Sequence, residues 1–132
     1  MLMLALILMI EVFYSEQEHE YEQEQENDMI ARIWHGWTKP ENTKAYEDML
    51  RDEIFPGIAR RNIKGYRGAE LFIHEDGNGT EFVTLLRFDS MAAVKEFAGT
   101  DENKPVIYPK AEALLARMDE RSRHYGIAIA GG

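Results

Sequence analysis

The strongest constraint on the fold is the segment Asp-Gly-Asn-Gly at residues 76–79. Asp-Gly and Asn-Gly pairs accept the positive φ angles that tight hairpin turns require. The segments on either side, residues 66–75 and 80–88, are rich in aromatic and β-branched residues, which are enriched in strands. These features together predict an antiparallel hairpin, formed by the second and third strands of a sheet.

A strand and a helix precede the hairpin. Residues 29–37 read as the first strand, and Thr38 and Glu41 follow at the spacing of a helix capping box. Pro40 falls in the first helical turn, where its missing N–H does no harm. Apolar residues then recur at steps of three and four along one helical face: Tyr46, Met49, Leu50, Ile54 and Ile58.

A second helix and a last strand follow the hairpin. Ser90 is a predicted N-cap, and Gly99 ends a short helix that carries Met91, Val94 and Phe97 on one face. Residues 121–130 read as the last strand. The order β-α-β-β-α-β predicts an α+β fold, a ferredoxin-like sandwich in which helices cover one face of a four-stranded antiparallel sheet.

Both faces of this predicted sheet carry apolar side chains. In the third strand, Phe82, Leu86 and Phe88 alternate with Val83 and Leu85. Helices can cover only one face, and a second apolar face needs a partner. A second copy of the same sheet supplies one, so the sequence predicts a homodimer that packs sheet to sheet.

Charge divides the chain into two parts. Residues 1–28 hold an apolar run and then eight acidic residues without Lys or Arg, whereas residues 29–132 hold 16 acidic and 15 basic residues. The apolar run of ten residues is shorter than the roughly 20 that span a bilayer. We interpret residues 1–28 as a disordered leader produced by an upstream start codon, with Met29 as the original initiator, and residues 29–132 as the single domain.

Composition excludes several classes of function. The domain is nearly neutral, so it has no electrostatic footprint for nucleic acid. The chain has no cysteine, which excludes thiolate chemistry and fits a reducing, cytoplasmic location. No spacing typical of a metal, dinucleotide or nucleotide site is present. We therefore expect no cofactor, no metal and no membrane partner.

Three segments resemble the antibiotic biosynthesis monooxygenase family. They are RIWHG at the start of the domain, LLRFDSMAAVKEFAG in its middle, and YP followed by HYGIA at its end. The resemblance covers residues 29 to about 129. It implies the fold of the dimeric α+β barrel superfamily. It also implies a cofactor-independent monooxygenase, an oxidoreductase that uses dioxygen on a small aromatic or polyketide-like molecule.

Two alternatives stay open. One is a module that binds haem or another small ligand, with His35 or His124 as the axial ligand. The other is a dimeric protein without catalytic activity.

The candidate catalytic residues are His35 and His124. The end of the first strand should lie beside the start of the last, and strand parity then allows both imidazoles to share the helix-covered face. Two neutral imidazoles facing one cavity could act as a general base. The competing interpretation is two histidines whose hydrogen bonds are satisfied by the backbone or by each other.

Three further residues are candidate substrate-binding groups. Tyr108 precedes Pro109, which holds the chain extended and could lay the phenol over the His35 cavity as a lid. The alternative is that Tyr108 is a hydrophobic plug. Trp37 shares the parity of His35, whereas Trp34 has the opposite parity and is expected in the dimer core. Arg87 lies in an apolar strand, so it should pair either with Glu70 or with an anionic substrate.

Overall fold

The computed structural model describes residues 29–131, and the predicted leader of residues 1–28 lies outside them. Five strands form one sheet: β1 Ile30–Thr38, β2 Tyr66–Glu75, β3 Thr80–Phe88, β4 Arg117–Met118 and β5 Arg123–Gly126. Within residues 29–131, four α-helices accompany it: α1 Thr43–Met49, α2 Phe55–Arg60, α3 Met91–Ala98 and α4 Pro109–Glu112. No helix within the described residues is long and apolar enough to cross a membrane.

The sheet is antiparallel, with the order β2-β3-β1-β4, and β5 also pairs with β1. The predicted α+β, ferredoxin-like fold is therefore confirmed. Both strands of the predicted hairpin have the predicted boundaries. The turn between them contains Gly77 and Gly79 at φ 87° and 159°, values that favour glycine.

The predicted last strand, residues 121–130, is only partly correct. Two short strands, β4 and β5, pair with β1 where one long strand was predicted. Residues 119–122, which lie between β4 and β5, do not pair with β1 as a strand. Two contacts hold this interruption. The indole Nε1 of Trp34 donates a hydrogen bond to the carbonyl of Asp119 at 2.8 Å, and the Ser122 amide donates to the Asn103 carbonyl at 2.8 Å.

The two helix starts differ in how they are capped. The predicted capping box of Thr38 and Glu41 is wrong, because Thr38 belongs to β1 and its hydroxyl lies 3.0 Å from that of Thr43. Lys39 is the N-cap of a 3₁₀ turn, Pro40–Asn42, which leads into α1, and its side chain makes no capping hydrogen bond. The predicted cap at Ser90 is confirmed, since its hydroxyl accepts a hydrogen bond from the Ala93 amide at 3.2 Å.

A π-helical turn, Leu50–Ile54, joins α1 to α2. Pro56 has no N–H to donate to the carbonyl four residues earlier, and a wider turn accommodates that loss. The wider turn has a second effect. In an ideal α-helix of 3.6 residues per turn, side chains four residues apart lie slightly more than one turn apart and move gradually around the helix. The π turn has more residues per turn and so offsets this rotation. The buried side chains thus stay on one face: Tyr46, Leu50, Ile54 and Ile58.

The core lies between these helices and one face of the sheet. That face carries the even-numbered residues of β1 and β3, among them Ile30, Phe82 and Phe88. Tyr46 packs edge-on against Phe82, with 4.7 Å between ring centroids. The opposite, open face carries the odd-numbered residues of β1 and β3: Ala31, Ile33, His35, Trp37, Glu81, Val83, Leu85 and Arg87.

Candidate functional site

A cavity lies between the helix-covered face of the sheet, the α1–α2 segment and the loop that follows α3. Its volume is about 60 Å³. Its walls are mostly apolar, and they carry a few polar groups from different elements, which is typical of small-molecule sites. Those polar-bearing residues are Arg32, Trp34, Tyr46, Thr84, Tyr108 and Ser122.

Arg32 is the charged group of this cavity. It points from β1 towards the helices and is only 3 % exposed. Its Nη1 donates to the carbonyl of Glu102 and lies 2.9 Å from Nε2 of His124. Its Nη2 donates to the carbonyl of Lys104 at 2.7 Å. The guanidinium carbon also lies 5.4 Å from the centroid of the Phe97 ring, a cation–π distance.

The surroundings of Arg32 keep it charged at neutral pH. Burial lowers the pKa of Arg32 to about 10, and the nearby Asp101 carboxylate opposes that shift. The group therefore remains a cation under physiological conditions. A buried cation requires hydrogen-bond acceptors or an anion as compensation. Two backbone carbonyls and one imidazole supply the acceptors here.

His124 is held as a neutral imidazole. Burial lowers the pKa of His124, and the positive charge of Arg32 lowers it further. Because the guanidinium can only donate, Nε2 must accept in the 2.9 Å contact, and the ring proton then sits on Nδ1. Protonation of Nε2 would break this contact and place a second cation next to the first.

Aliphatic and aromatic side chains form the rest of the wall. Trp34 uses its only N–H on the Asp119 carbonyl, so it contributes a ring surface. Tyr46 is 2 % exposed, and burial raises its pKa to about 12, so its hydroxyl stays protonated and can donate a hydrogen bond. Tyr108 immediately precedes α4 and lines the same cavity.

The prediction that His35 and His124 share one face is wrong. His124 pairs with Arg32 across β1 and β5, and paired residues of neighbouring strands project to the same face. His35 lies three residues further along β1 and therefore projects to the opposite face. The parity argument left open which residues of β1 and the last strand are paired. Gly36 pairs with Met118 and Arg32 pairs with His124, so even-numbered residues share a face on both sides of the interruption, and the odd-numbered His35 lies on the other face.

His35 lies on the open face of the sheet. Its Nδ1 is 3.1 Å from Oε2 of Glu81, and its ring stacks against Trp37 with 6.0 Å between centroids. The guanidinium carbon of Arg117 lies 4.0 Å from the centroid of the Trp37 ring. Trp37 and Trp34 therefore occupy the faces opposite to those predicted. Parity groups residues by face but does not say which face the helices cover.

The two remaining predicted site residues, Tyr108 and Arg87, lie on opposite sides of the sheet. Tyr108 lies at the cavity of Arg32, and the predicted lid over a His35 pocket is wrong because His35 is on the other side of the sheet. Arg87 lies on the open face. Its Nε donates to Oε1 of Glu70 at 2.9 Å, which confirms the predicted ion pair.

Sequence reasoning missed Arg32 and Tyr46 as site residues. The signal for Arg32 was present, since it interrupts the apolar strand β1 just as Arg87 interrupts β3. Tyr46 was predicted as a core residue of the helix, and its contact with a cavity follows only from tertiary packing. Within residues 29–131, no group of three or more His, Asp or Glu side chains could hold a metal ion.

Solved structures share this fold. A protein from Bacillus cereus provisionally named antibiotic biosynthesis monooxygenase superposes with a TM-score of 0.57 and 15 % identity, over 80 % of this chain and 98 % of that one. Similarly named proteins from Nitrosomonas europaea and Caulobacter crescentus give TM-scores of 0.56 and 0.54 at 16 % and 19 % identity. These cover 80 % and 84 % of this chain and 96 % and 100 % of theirs.

These identities are low, so the likeness shows the fold and leaves the chemistry to be argued from the residues. The ferredoxin-like fold of the single chain, which the sequence resemblance implied, is confirmed. No family model matches the chain, and no curated protein matches it.

His124 should make the stability of the protein depend on pH. The unfolded chain binds a proton near pH ~6.5, whereas the folded chain binds it only at lower pH. The stabilisation is therefore complete above ~6.5 and is lost as the pH falls through the lowered folded-state pKa. We expect the free energy of unfolding to fall more steeply between about pH 7 and about pH 5 in the wild type than in His124→Gln.

Urea denaturation at the two pH values measures this difference. His74→Gln is the matched control, because His74 lies on an exposed part of β2, and this variant should keep the wild-type pH dependence. Equal pH dependence in His124→Gln and the wild type would show that His124 is not held neutral.

Proposed function

We propose that this protein is a cofactor-independent monooxygenase that oxidises a small, electron-rich aromatic or polyketide-like molecule in the cavity at Arg32. The observation that carries the proposal is a buried, permanently charged guanidinium next to a neutral imidazole in an otherwise aromatic and apolar pocket. The shared fold with proteins provisionally named antibiotic biosynthesis monooxygenases supports it.

Arg32 would stabilise the anion of the substrate. A phenol or enol that binds with its oxygen near the guanidinium loses its proton more readily, because an opposite charge in a poorly solvated site favours the ionised form. Trp34 and Tyr46 would hold the ring of the substrate, and the protonated Tyr46 hydroxyl would donate a hydrogen bond to a second oxygen.

His124 would take up the substrate proton. Its Nε2 accepts the hydrogen bond from Arg32 Nη1 at 2.9 Å, so a substrate oxygen that replaced it as the acceptor of that hydrogen would lie beside Nε2 and free it to take the proton. The new imidazolium would sit next to Arg32, and the negative charge of the substrate anion would offset part of the repulsion between the two cations. His35, on the other face of the sheet, takes no part in this proposal.

The substrate anion supplies the electrons for the reaction. The balanced step applies to a substrate in which this anion forms at a methylene group. Dioxygen adds to that carbon, one oxygen atom stays on it as a carbonyl, and the other leaves as water with the two methylene hydrogens. The protein contributes orientation, deprotonation and exclusion of bulk water.

Oxygen uptake tests this proposal. Hydroxylated polycyclic aromatics with an acidic methylene group should consume dioxygen in the presence of the protein and a chelator. His124→Gln should lower the turnover rate by ~10²-fold or more, as expected for the loss of a general base. Lys44→Gln, an exposed change on α1, should leave it unchanged. Tight binding of such a compound without oxygen uptake would contradict the monooxygenase and support the small-ligand alternative.

We also propose that the protein is a homodimer formed through the open face of the sheet. Phe72 and Tyr125 on this face are each 47 % exposed, and Ile33, Val83 and Leu85 lie half-buried between them. A patch of this kind on a small domain is typical of an interface. The ion pair of Arg87 and Glu70 would lie at its side.

A charge at the centre of this face should separate the subunits. Leu85→Glu should shift the light-scattering mass from twice that of one chain to that of one chain, because an unpaired carboxylate would be buried against the partner. Lys95→Glu, on the exposed side of α3, should leave the dimer intact. A wild-type protein that is monomeric at micromolar concentration would contradict the proposed dimer.

A further inference from the structure

The loop of residues 99–108 forms one wall of the cavity without a helix or strand of its own. It contributes Pro105, Val106, Ile107 and Tyr108 to the lining. It is attached to the rest of the domain by a few polar contacts and by the packing of Val106 and Tyr108 against the core. The guanidinium of Arg32 donates hydrogen bonds to two carbonyls of the loop. The backbone N–H of Ser122 donates to the Asn103 carbonyl, and the Asp101 carboxylate forms an ion pair with Arg121 at 3.1 Å.

The cavity is too small for an aromatic ligand in this arrangement. Its volume is about 60 Å³. A cavity that binds benzene in a protein core measures about 150 Å³. One wall must therefore move before a ring can enter. The sheet is fixed by its ladder and the α1–α2 segment by its buried face, so the loop of residues 99–108 is the wall that can move at the lowest cost.

Arg32 has hydrogen-bonding capacity left over. A guanidinium carries five N–H groups, and three of those on Arg32 are used by Glu102, Lys104 and His124. Nε and one hydrogen of Nη2 have no acceptor among residues 29–131. No fully buried side-chain nitrogen in the described part of the chain lacks a partner. Nε must therefore reach open space, and the cavity is the open space that Arg32 lines.

We propose that Arg32 is a subsite for an anionic oxygen of the ligand and that the loop of residues 99–108 is the lid over this subsite. The proposal rests on the cavity being the ligand site, as in the proposed function. The ligand class that it specifies is a planar aromatic acid: a carboxylate, a phenolate or an enolate.

Neither nearby carboxylate forms a hydrogen bond with Arg32, so a ligand anion can occupy that position. Asp101 contributes to the potential at Arg32 but hydrogen-bonds to Arg121, at 3.1 Å. Glu102 offers Arg32 its backbone carbonyl. The acceptors that Arg32 has are thus neutral, and the site holds a cation without an anion in hydrogen-bond contact. An anionic oxygen would form a charge-assisted bond there, which is stronger than a neutral one.

Equilibrium binding of benzoate and benzamide tests the subsite. The two probes share one shape and differ in charge. Wild-type protein should bind benzoate at least ~10-fold more tightly than benzamide, the difference expected for a hydrogen bond to a charged group. Arg32→Gln should bring the two affinities together, and Arg32→Lys should retain part of the preference. Arg87→Gln, which removes an arginine from the open face, should keep the wild-type preference.

The lid is tested in the same titration by amide chemical shifts. Benzoate should move the signals of residues 101–108 and leave those of the hairpin turn, residues 76–79, in place. Equal affinities for the two probes in the wild type would overturn the subsite, and so would an Arg32→Gln variant that keeps the preference. Unmoved signals at residues 101–108 on saturation would overturn the lid.

If Arg32→Gln does not fold, the comparison of benzoate with benzamide in the wild type and in Arg32→Lys still tests the subsite. Binding needs no turnover, so these outcomes are independent of the oxygen-uptake assay.

Discussion

The structure around the cavity depends on one interaction, the burial of the Arg32 guanidinium beneath the helices. A cation in that position is unfavourable unless acceptors surround it. The carbonyls of Glu102 and Lys104 and the imidazole of His124 meet this requirement. As a result the loop after α3 is drawn down onto the sheet, and β5 is held in the register that places His124 opposite Arg32.

The two faces of the sheet have separate chemistry. On the helix-covered face, a cation, a neutral imidazole and several aromatic rings surround a small cavity. On the open face, polar and charged side chains are paired in half-exposed contacts, such as the hydrogen bond of His35 with Glu81 and the ion pair of Arg87 with Glu70. The cavity has the features of a ligand site, whereas the open face has those of a protein interface.

Local sequence signals predicted most of the fold. The Asp-Gly-Asn-Gly turn and its flanking strands, the helix face containing Tyr46 and Leu50, and the cap at Ser90 depend on residues close in the chain. The register of the last strand depends instead on contacts between distant segments, such as Ser122 with Asn103. Strand parity does not fix which residues of two strands are paired, so it placed His124 on the wrong face.

The site was harder to predict for the same reason. Arg32 and Tyr46 are 14 residues apart and belong to different elements, and only packing brings them to one cavity. Sequence reasoning weighed the histidines first because of their chemistry. It could assign His35 and Trp37 to one face but could not decide which face the helices cover.

A crystal structure with a bound aromatic hydroxy acid such as salicylate tests the central claim most directly. The account predicts the ring against Trp34 and Tyr46, with an anionic oxygen within hydrogen-bond distance of Arg32 and the loop of residues 99–108 displaced outward. A ring bound on the open face of the sheet, beside His35 and Trp37, with the cavity at Arg32 unchanged, would contradict it.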